Sequence, residues 1–331
     1  MIRVLVSGAG GDTAQGVIKA LRASPLDVEI FAACVSPDSA WLHALGVRGL
    51  LSPYAMEPNY IDWLVDTIDR FRIDAFFPAV DQEMPVLAPH AAQIRADTGA
   101  HILCGTPEQV AICADKLATN HFLSTHGFAC PASVGLDDPE LQDRLETVGF
   151  PLIVKPRHGR GSRDVVRINT AKELAPYRGD ATYIAQQYLC ESEGEFTSGI
   201  YLGDDAEIKG VVHFRRILKH GSTIRAERVR SQAFDDQLIP MAHTLGIKYL
   251  NIQSMLCDGK LIVFEFNGRM SGSTAMVSRV FNAPDLFLRE RLLGQTVARQ
   301  DSDEDFVALR YLEEIYTTRS RIDALAQRTT S

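Results

Sequence analysis

The chain has 331 residues, 46% hydrophobic and 23% charged, enough for full cores and, at ~150 residues per domain, for two or three domains. Its 42 acidic and 34 basic side chains give a net charge of −8, which argues against binding nucleic acid or an anionic membrane by bulk charge. No apolar run reaches the ~18 residues of a membrane helix, and MIRVLVSGAG enters a strand pattern without signal-peptide character, so a cytoplasmic protein is expected.

The six cysteines lie apart, without C-x-x-C or other metal-ligand spacing, and read as reduced thiols serving as small core residues. The nine histidines are equally dispersed, so zinc chemistry is not expected.

In chain order, residues 2–7 form a β-branched run ending in glycines. A helical stripe with Val17, Ile18 and Leu21 follows, then a strand over 28–33, a helix around 61–68 and a strand over 75–80. This alternation over the first ~105 residues predicts a parallel sheet with crossover helices. Residues 108–127 read as one helix, with Pro107 in its first turn and Gly127 as its C-terminal cap. After residue 150 longer strands and hairpins take over, at 152–155, 165–168, 182–189, 196–202, 206–214, 249–257 and 260–266. This half is α+β with antiparallel pairing. The tail offers a strand at 306–311 and a polar helix near 320–327.

Three segments carry chemistry. Gly8-Ala-Gly-Gly-Asp-Thr-Ala-Gln-Gly16 suggests a dinucleotide loop, but its third glycine is misplaced and Cys34-Val35-Ser36 stands where the ribose-binding acid belongs, so it reads as a structural turn. Lys155 ends an apolar strand and precedes Gly159-Arg160-Gly161-Ser162. A lysine there offers a point charge to phosphates, and glycines let backbone N–H groups wrap them. In the third segment, Glu265 and Asn267 share one strand face. A two-residue turn at Asp258-Gly259 would pair 253 with 264 and send Gln253 to the wrong face. A three-residue loop would pair 251 with 265 and gather Asn251, Gln253, Glu265 and Asn267, an oxygen-rich set suited to Mg²⁺ shared with phosphates.

Together these segments resemble the ATP-grasp superfamily, most closely the carboxylate–amine ligases similar to the carbamoyl-phosphate-synthetase large subunit. The resemblance covers about 1–290 and rests on Asp115-Lys-Leu117, Gly149-Phe-Pro-Leu-Ile-Val-Lys-Pro156, Gln186-Gln-Tyr-Leu189 with Gly194-Glu-Phe-Thr197, and Asn251-Ile-Gln253 with Glu265-Phe-Asn-Gly-Arg269. It implies an α/β plus α+β chain: a Rossmann-like pre-ATP-grasp domain over 1–107, a lid with linker helix over 108–187, and a C-terminal subdomain with the metal site over 188–331. The mobile lid would span about 118–186.

The resemblance also implies roles. Lys116 and Lys155 would bind the ATP phosphates, and Gly159, Arg160, Gly161 and Ser162 would cover them. Gln187 would face the adenine amino group, the backbone of Tyr188 and Cys190 would read the adenine edge, and Glu195 would hold the ribose. Gln253, Glu265 and Asn267 would bind Mg²⁺, with Mn²⁺ as a substitute, and Lys219 and Arg269 would contact the transferred phosphate. Asp81 and Glu83 are candidates for an amine, and Arg215 and Arg228 for a carboxylate. Where the family has proline this chain has Gly268, expected to loosen the following loop. The implied reaction activates a small carboxylate as an acyl phosphate and joins it to an amine. The alternatives are an enzyme that stops at the acyl phosphate and an ATP binder without catalysis. Partners would be small molecules, with a homodimer left open.

Overall fold

The computed structural model describes residues 1–159 and 164–327. Strands β1 (Ile2–Val6), β2 (Val28–Cys34), β3 (Val47–Leu51), β4 (Ala75–Phe77) and β5 (His101–Ile102) form a parallel sheet ordered β3-β2-β1-β4-β5. Between them run α1 (Asp12–Ala23), α2 (Tyr60–Phe71), α3 (Glu83–Leu87) and α4 (Ala91–Thr98). Side chains alternate along each strand, so Val4 and Val6 face α1 whereas Leu5 and Phe31 face α2 and α4. The order reverses at β1, which opens a crevice at the C-terminal ends of β1 and β4. Sequence reading missed β3, a short edge strand interrupted by Arg48 and Gly49.

The expected helix over 108–127 is two helices, α5 (Pro107–Ala114) and α6 (Lys116–Thr125). Thr106 and Gln109 close a capping box on α5. Asp115 then takes an extended conformation (φ −119°, ψ 115°) and caps α6, accepting from Leu117 N at 2.9 Å. It also accepts from Arg157 Nε at 2.8 and 2.9 Å. Burial works against its charge, but Arg157 outweighs this and holds the carboxyl below its ordinary range. The break places Lys116 at the first turn of α6, facing the next sheet.

That sheet holds β6 (Ser133–Gly135), β7 (Leu152–Pro156), β8 (Val166–Ile168) and β9 (Tyr183–Gln187), ordered β6-β9-β7-β8 and fully antiparallel. Helices α7 (Leu141–Val148) and α8 (Ala171–Leu174) cover its apolar face through Leu141, Leu145 and Leu174.

The largest sheet contains β10 (Glu195–Leu202), β11 (Ile208–Lys219), β12 (Ser222–Val229), β13 (Tyr249–Cys257), β14 (Lys260–Asn267) and β15 (Val307–Leu309), ordered β14-β13-β10-β11-β12-β15. Helix α9 (Gln232–Leu245) covers one face with Phe234, Leu238 and Met241. The other face, with Tyr201, Phe214 and Tyr249, packs toward α10 (Thr274–Val277) and α11 (Ala283–Leu293). The same core continues into the parallel sheet, where Phe77 meets Phe287 edge-on at 5.4 Å. Each such buried aromatic contributes about 2–3 kcal/mol of burial, so the two sheets are held as one body. Helix α12 (Arg319–Gln327) returns to β3 and buries Leu325. No helix of the described residues is long and apolar enough to cross a membrane.

Candidate active site

A cavity of about 330 Å³ opens between the β7–β9 lid sheet and the β10–β13–β14 face of the large sheet. Lys155, at the end of β7, is only 6% exposed. Its ammonium donates to Gln186 Oε1 at 2.9 Å and lies 5.2 Å from the centroid of the Phe264 ring. Gln186 in turn donates to Ser133 Oγ at 2.8 Å. No carboxylate of the described residues touches this ammonium. Burial therefore lowers its pKa to about 8; Glu265 and Glu195 pull back upward, and Lys116 pushes further down. Lys116 crosses from α6 and donates to Gly159 O at 2.9 Å. A buried cation with a neutral partner beside a second lysine is a built place for an anion.

The opposite wall depends on one irregularity. The β13–β14 turn is the two-residue Asp258-Gly259, both with positive φ, and Cys257 pairs with Lys260. A bulge at Phe264 then shifts the ladder, so Gln253 lies opposite Glu265 and Asn251 opposite Asn267. Neither expected register holds: the three-residue loop is absent, and the two-residue turn alone would have misdirected Gln253. The bulge brings the four polar residues to one face and also turns Phe264 toward Lys155.

Asn267 donates to Glu265 Oε1 at 3.3 Å, so the two side chains meet on one face of β14. Gln253 Oε1 accepts from Arg216 Nη2 at 2.9 Å, and Arg216 also pairs with Glu195 at 2.5 Å. The donor set fits a Mg²⁺ that takes most of its ligands from phosphates and water. Glu265 and Asn267 would hold it, and Gln253 could join only after leaving Arg216. No group of three His, Cys, Asp or Glu side chains converges among the described residues.

Several expected residues fall elsewhere. Arg160, Gly161 and Ser162 lie outside the described residues. Gln187 lines the cavity rim, but its side chain is exposed and accepts weakly from Ala132 N at 3.4 Å; the glutamine directed inside is Gln186. The Tyr188 N–H is taken by Pro151 O at 3.3 Å, and its ring lies under Arg167, 4.3 Å away. Cys190 is exposed, its thiol donating to Ser192 Oγ, and it does not line the cavity; Leu189 does. Glu195 lines it but is already paired with Arg216. Arg216 is the residue that sequence reading passed over in favour of Arg215. Strand alternation could have found it, since Arg216 pairs across the ladder with Glu195 and Arg215 points to the other face.

Six more positions are corrected. Arg215 is exposed and lies over Gly194. Arg228 has a side chain 3% exposed, donates to Glu304 O at 2.6 Å and pairs with Asp301 at 3.0 Å, so the C-terminal segment occupies it. Glu83 is 4% exposed and accepts from Ser7 Oγ at 2.5 Å, Tyr60 OH at 2.8 Å and Val80 N at 3.2 Å, a closed network rather than an amine site. Lys219 is exposed at the β11–β12 hairpin tip and does not line the cavity. Asp81 and Arg269, assigned to different ligands, hold each other: Arg269 donates through Nε and Nη2 to the two Asp81 oxygens at 2.6 and 2.7 Å, across the crevice of the parallel sheet.

Two glycines also settle expectations. A Cβ on Gly16 would stand 3.1 Å from Thr274 Cβ and 3.3 Å from Ala275 N, so this glycine lets α1 meet α10. A Cβ on Gly268 would stand 2.6 Å from Ile247 Cδ1 and 3.1 Å from Cys113 Sγ. The proline-to-glycine departure therefore tightens the packing here rather than loosening it.

A cavity between an antiparallel lid and a large antiparallel sheet, with a buried strand-end lysine facing a Glu-x-Asn strand, defines a nucleotide-binding class of protein. Residues 113–273 match the ATP-grasp domain family. The chain is 25% identical over 271 residues to the carbamoyl phosphate synthase large chain of Deinococcus deserti, covering 69% of this chain and 25% of that one. The chain thus spans about a quarter of that relative's length. Among solved structures it superposes on N5-carboxyaminoimidazole synthetase from Staphylococcus aureus complexed with ADP, with TM-score 0.67, 14% identity, and coverage of 93% of this chain and 80% of that one. L-amino acid ligase from Bacillus licheniformis gives TM-score 0.65 and 17% identity, over 88% and 74% of the two chains.

Proposed function

We propose that this chain is an ATP-dependent ligase that activates a small carboxylate, such as that of an amino acid, and joins it to an amine, releasing ADP and phosphate. The observation that carries this reading is Lys155: a buried cation without a carboxylate partner among the described residues, lining a nucleotide-sized cavity whose opposite wall carries Gln253 and Glu265. A carboxylate is a poor electrophile because its charge repels nucleophiles and oxide leaves badly. Attack of a carboxylate oxygen on the γ-phosphorus breaks the bond to ADP and forms an acyl phosphate. The amine nitrogen then adds at the acyl carbon, phosphate leaves with its electron pair, and the nitrogen gives up a proton to solvent or phosphate.

In this reading Lys155 and Lys116 neutralise the phosphates as charge moves onto the leaving ADP. The inner wall of Gln186 and Leu189 holds the adenine, and Gln186 is assigned to its amino group in place of Gln187. Glu195 takes the ribose hydroxyls once Arg216 turns from it. Mg²⁺ bound by Glu265 and Asn267 would supply positive charge between phosphate oxygens. The β6–β9 lid excludes water from the acyl phosphate, and no protein nucleophile is required.

The test is ADP release with Mg-ATP and pooled carboxylates, with and without pooled amines. Amine-dependent ADP without AMP supports the ligase. Carboxylate-dependent ADP that ignores amines moves the reading to an acyl-phosphate-forming enzyme. Tight ATP binding without turnover in any pool moves it to a non-catalytic binder.

A further inference from the structure

The structure carries a second concentration of positive charge that the nucleotide reading does not use. At the N-terminal end of the parallel sheet, opposite the crevice that holds Asp81 and Arg269, a shallow depression of about 380 Å³ is lined by Arg3, Arg48, Arg70, Phe71 and Arg72 alone. The fold makes it as follows. Arg3 on β1 stands beside Glu29 on β2, and Arg48 on β3 stands beside Phe31. All four project on the side that α2 covers. Helix α2 runs against the strands, so its last turn reaches the same end and delivers Arg70, Phe71 and Arg72.

Two carboxylates reach this cluster: Asp74 accepts from the Arg3 backbone N–H at 2.7 Å, and Glu29 lies between two of the guanidinium groups. Glu29 pairs with Arg3 at 3.1 Å and Arg48 at 2.9 Å, and hydrogen bonding from Arg48 is the largest influence holding its pKa down. Arg70 and Arg72 have no carboxylate partner among the described residues. In a chain of net charge −8, this leaves an uncompensated cationic spot. The negative end of the α2 dipole attracts cations, but its carbonyls are already served: Arg3 Nη1 donates to Phe71 O at 3.2 Å, and Arg72 N donates to Asp69 O and Ile68 O. Phe71 is wedged between Arg48 and Arg70, 5.7 and 5.4 Å from its centroid, which spaces the two guanidinium groups.

The backbone adds a separate observation. Arg72 closes α2 in the left-handed region, at φ 53° and ψ 54°, a position that ordinarily takes glycine or asparagine. Strain at one residue that directs a charged side chain into a set of like charges has the form of a binding feature.

We propose that Arg3, Arg48, Arg70 and Arg72 form a binding site for a small polyphosphate anion, a di- or triphosphate or a phosphorylated metabolite with adjacent phosphates. Guanidinium forks match phosphate oxygens two at a time, and four of them around one depression exceed what a single carboxylate ligand would recruit. The depression is too short for a tracking nucleic-acid site, in keeping with the charge of the chain.

The test is titration calorimetry of the full chain with inorganic tripolyphosphate at constant ionic strength. Because the ATP cavity also attracts phosphates, each titration is repeated on a Lys155→Ala background. The expected result is that Arg70→Ala/Arg72→Ala weakens tripolyphosphate binding at least tenfold in both backgrounds, while Lys155→Ala alone leaves this site within twofold. Arg72→Gly should weaken binding as well and leave the thermal midpoint no lower, which separates a binding role from a structural one. The proposal is overturned if the double variant binds like the parent, if all binding disappears with Lys155, or if poly-glutamate or a short oligonucleotide binds more tightly than tripolyphosphate.

Discussion

The nucleotide cavity and the crevice of the parallel sheet both gather ionisable side chains, and they gather them in opposite ways. In the crevice every charge is answered. Glu83 accepts from Ser7, Tyr60 and Val80, and Asp81 and Arg269 meet fork to fork. In the cavity the central cation, Lys155, has among the described residues one hydrogen-bond acceptor, the amide oxygen of Gln186, and the face of Phe264. A satisfied buried network costs little and fixes geometry, whereas an unsatisfied charge is tolerated at about 1–3 kcal/mol or more when a ligand completes it. The contrast separates scaffold from site on physical grounds, and each expectation below can break it.

The largest effect is expected at Glu265. It is the one carboxylate on the Glu-x-Asn strand, and replacing it with glutamine keeps the shape while removing the charge that faces Lys155 and would hold Mg²⁺. Glu265→Gln should lower ADP formation at least ~10²-fold, with an unchanged far-ultraviolet spectrum and unfolding midpoint. Turnover within twofold of the parent would remove Glu265 from the site.

Next comes the crevice, where the loss should appear in stability. Glu83→Ala leaves the Tyr60 and Ser7 hydroxyls and the Val80 N–H buried without their acceptor, which should cost about 3 kcal/mol. Asp81→Asn leaves the largely buried Arg269 guanidinium short of its charge partner and should cost about 2 kcal/mol. Denaturant unfolding measures both. For Glu83→Ala the KM values of the surviving folded enzyme should not move. A tenfold rise in the KM of the amine would restore Glu83 to the substrate and dissolve the contrast.

The two regions also differ in how much of them the sequence made readable. The lysine at a strand end, the glycine-flanked loop and the Glu-x-Asn spacing are local patterns, and each placed a residue in the cavity. What failed was long-range. Arg228 reads as a free arginine until residues 301–304 close over it, and Glu83 reads as an exposed helix-start acid until Ser7 and Tyr60 arrive from distant elements. Asp81 and Arg269 are 188 residues apart and no local spacing joins them. The β13–β14 register turned on a bulge at Phe264, which periodicity does not mark because an apolar residue suits either face of a strand in that position. Gln186 and Gln187 are the same residue type on adjacent positions, so only the pairing of β9 with β7 decides which one enters the cavity.

A smaller effect ties Lys155 to proton binding. Its pKa is lowered to about 8 from 10.5, chiefly by burial. The unfolded chain therefore binds more protons than the folded one between those values, and stability should rise with pH from about 8 to about 10.5. Full burial of the charge below pH 8 costs about 3 kcal/mol, and Lys155→Met should abolish the rise. Nucleotide phosphates would favour the ammonium, so ATP binding at pH 8 should take up about half a proton. Calorimetry in two buffers of different ionisation enthalpy reads this directly. Binding enthalpies that do not depend on buffer would mean that the phosphates do not reach Lys155.

The smallest effect distinguishes the paired glutamines, and it decides how the cavity reads adenine. Gln186 is 4% exposed and spans from Lys155 to Ser133, whereas the Gln187 side chain is at the rim with one long contact. If the cavity wall is the adenine site, Gln186→Ala removes both a hydrogen-bond acceptor and the polar neighbour of a buried ammonium. The KM for ATP should then rise about tenfold, as ~1.4 kcal/mol of lost binding requires, and Lys155 should titrate lower still. Gln187→Ala should change KM less than twofold. Gln186→Glu should offset the Lys155 charge, lift the lysine back toward its ordinary pKa and remove the buffer dependence of ATP binding at pH 8. The reverse ranking, with Gln187 dominant, would mean that β9 slips by one residue when the lid closes, because a one-residue shift exchanges the two faces of a strand. Either ranking says which face of β9 meets the nucleotide, and with it whether this arrangement of lid and sheet is already the binding one.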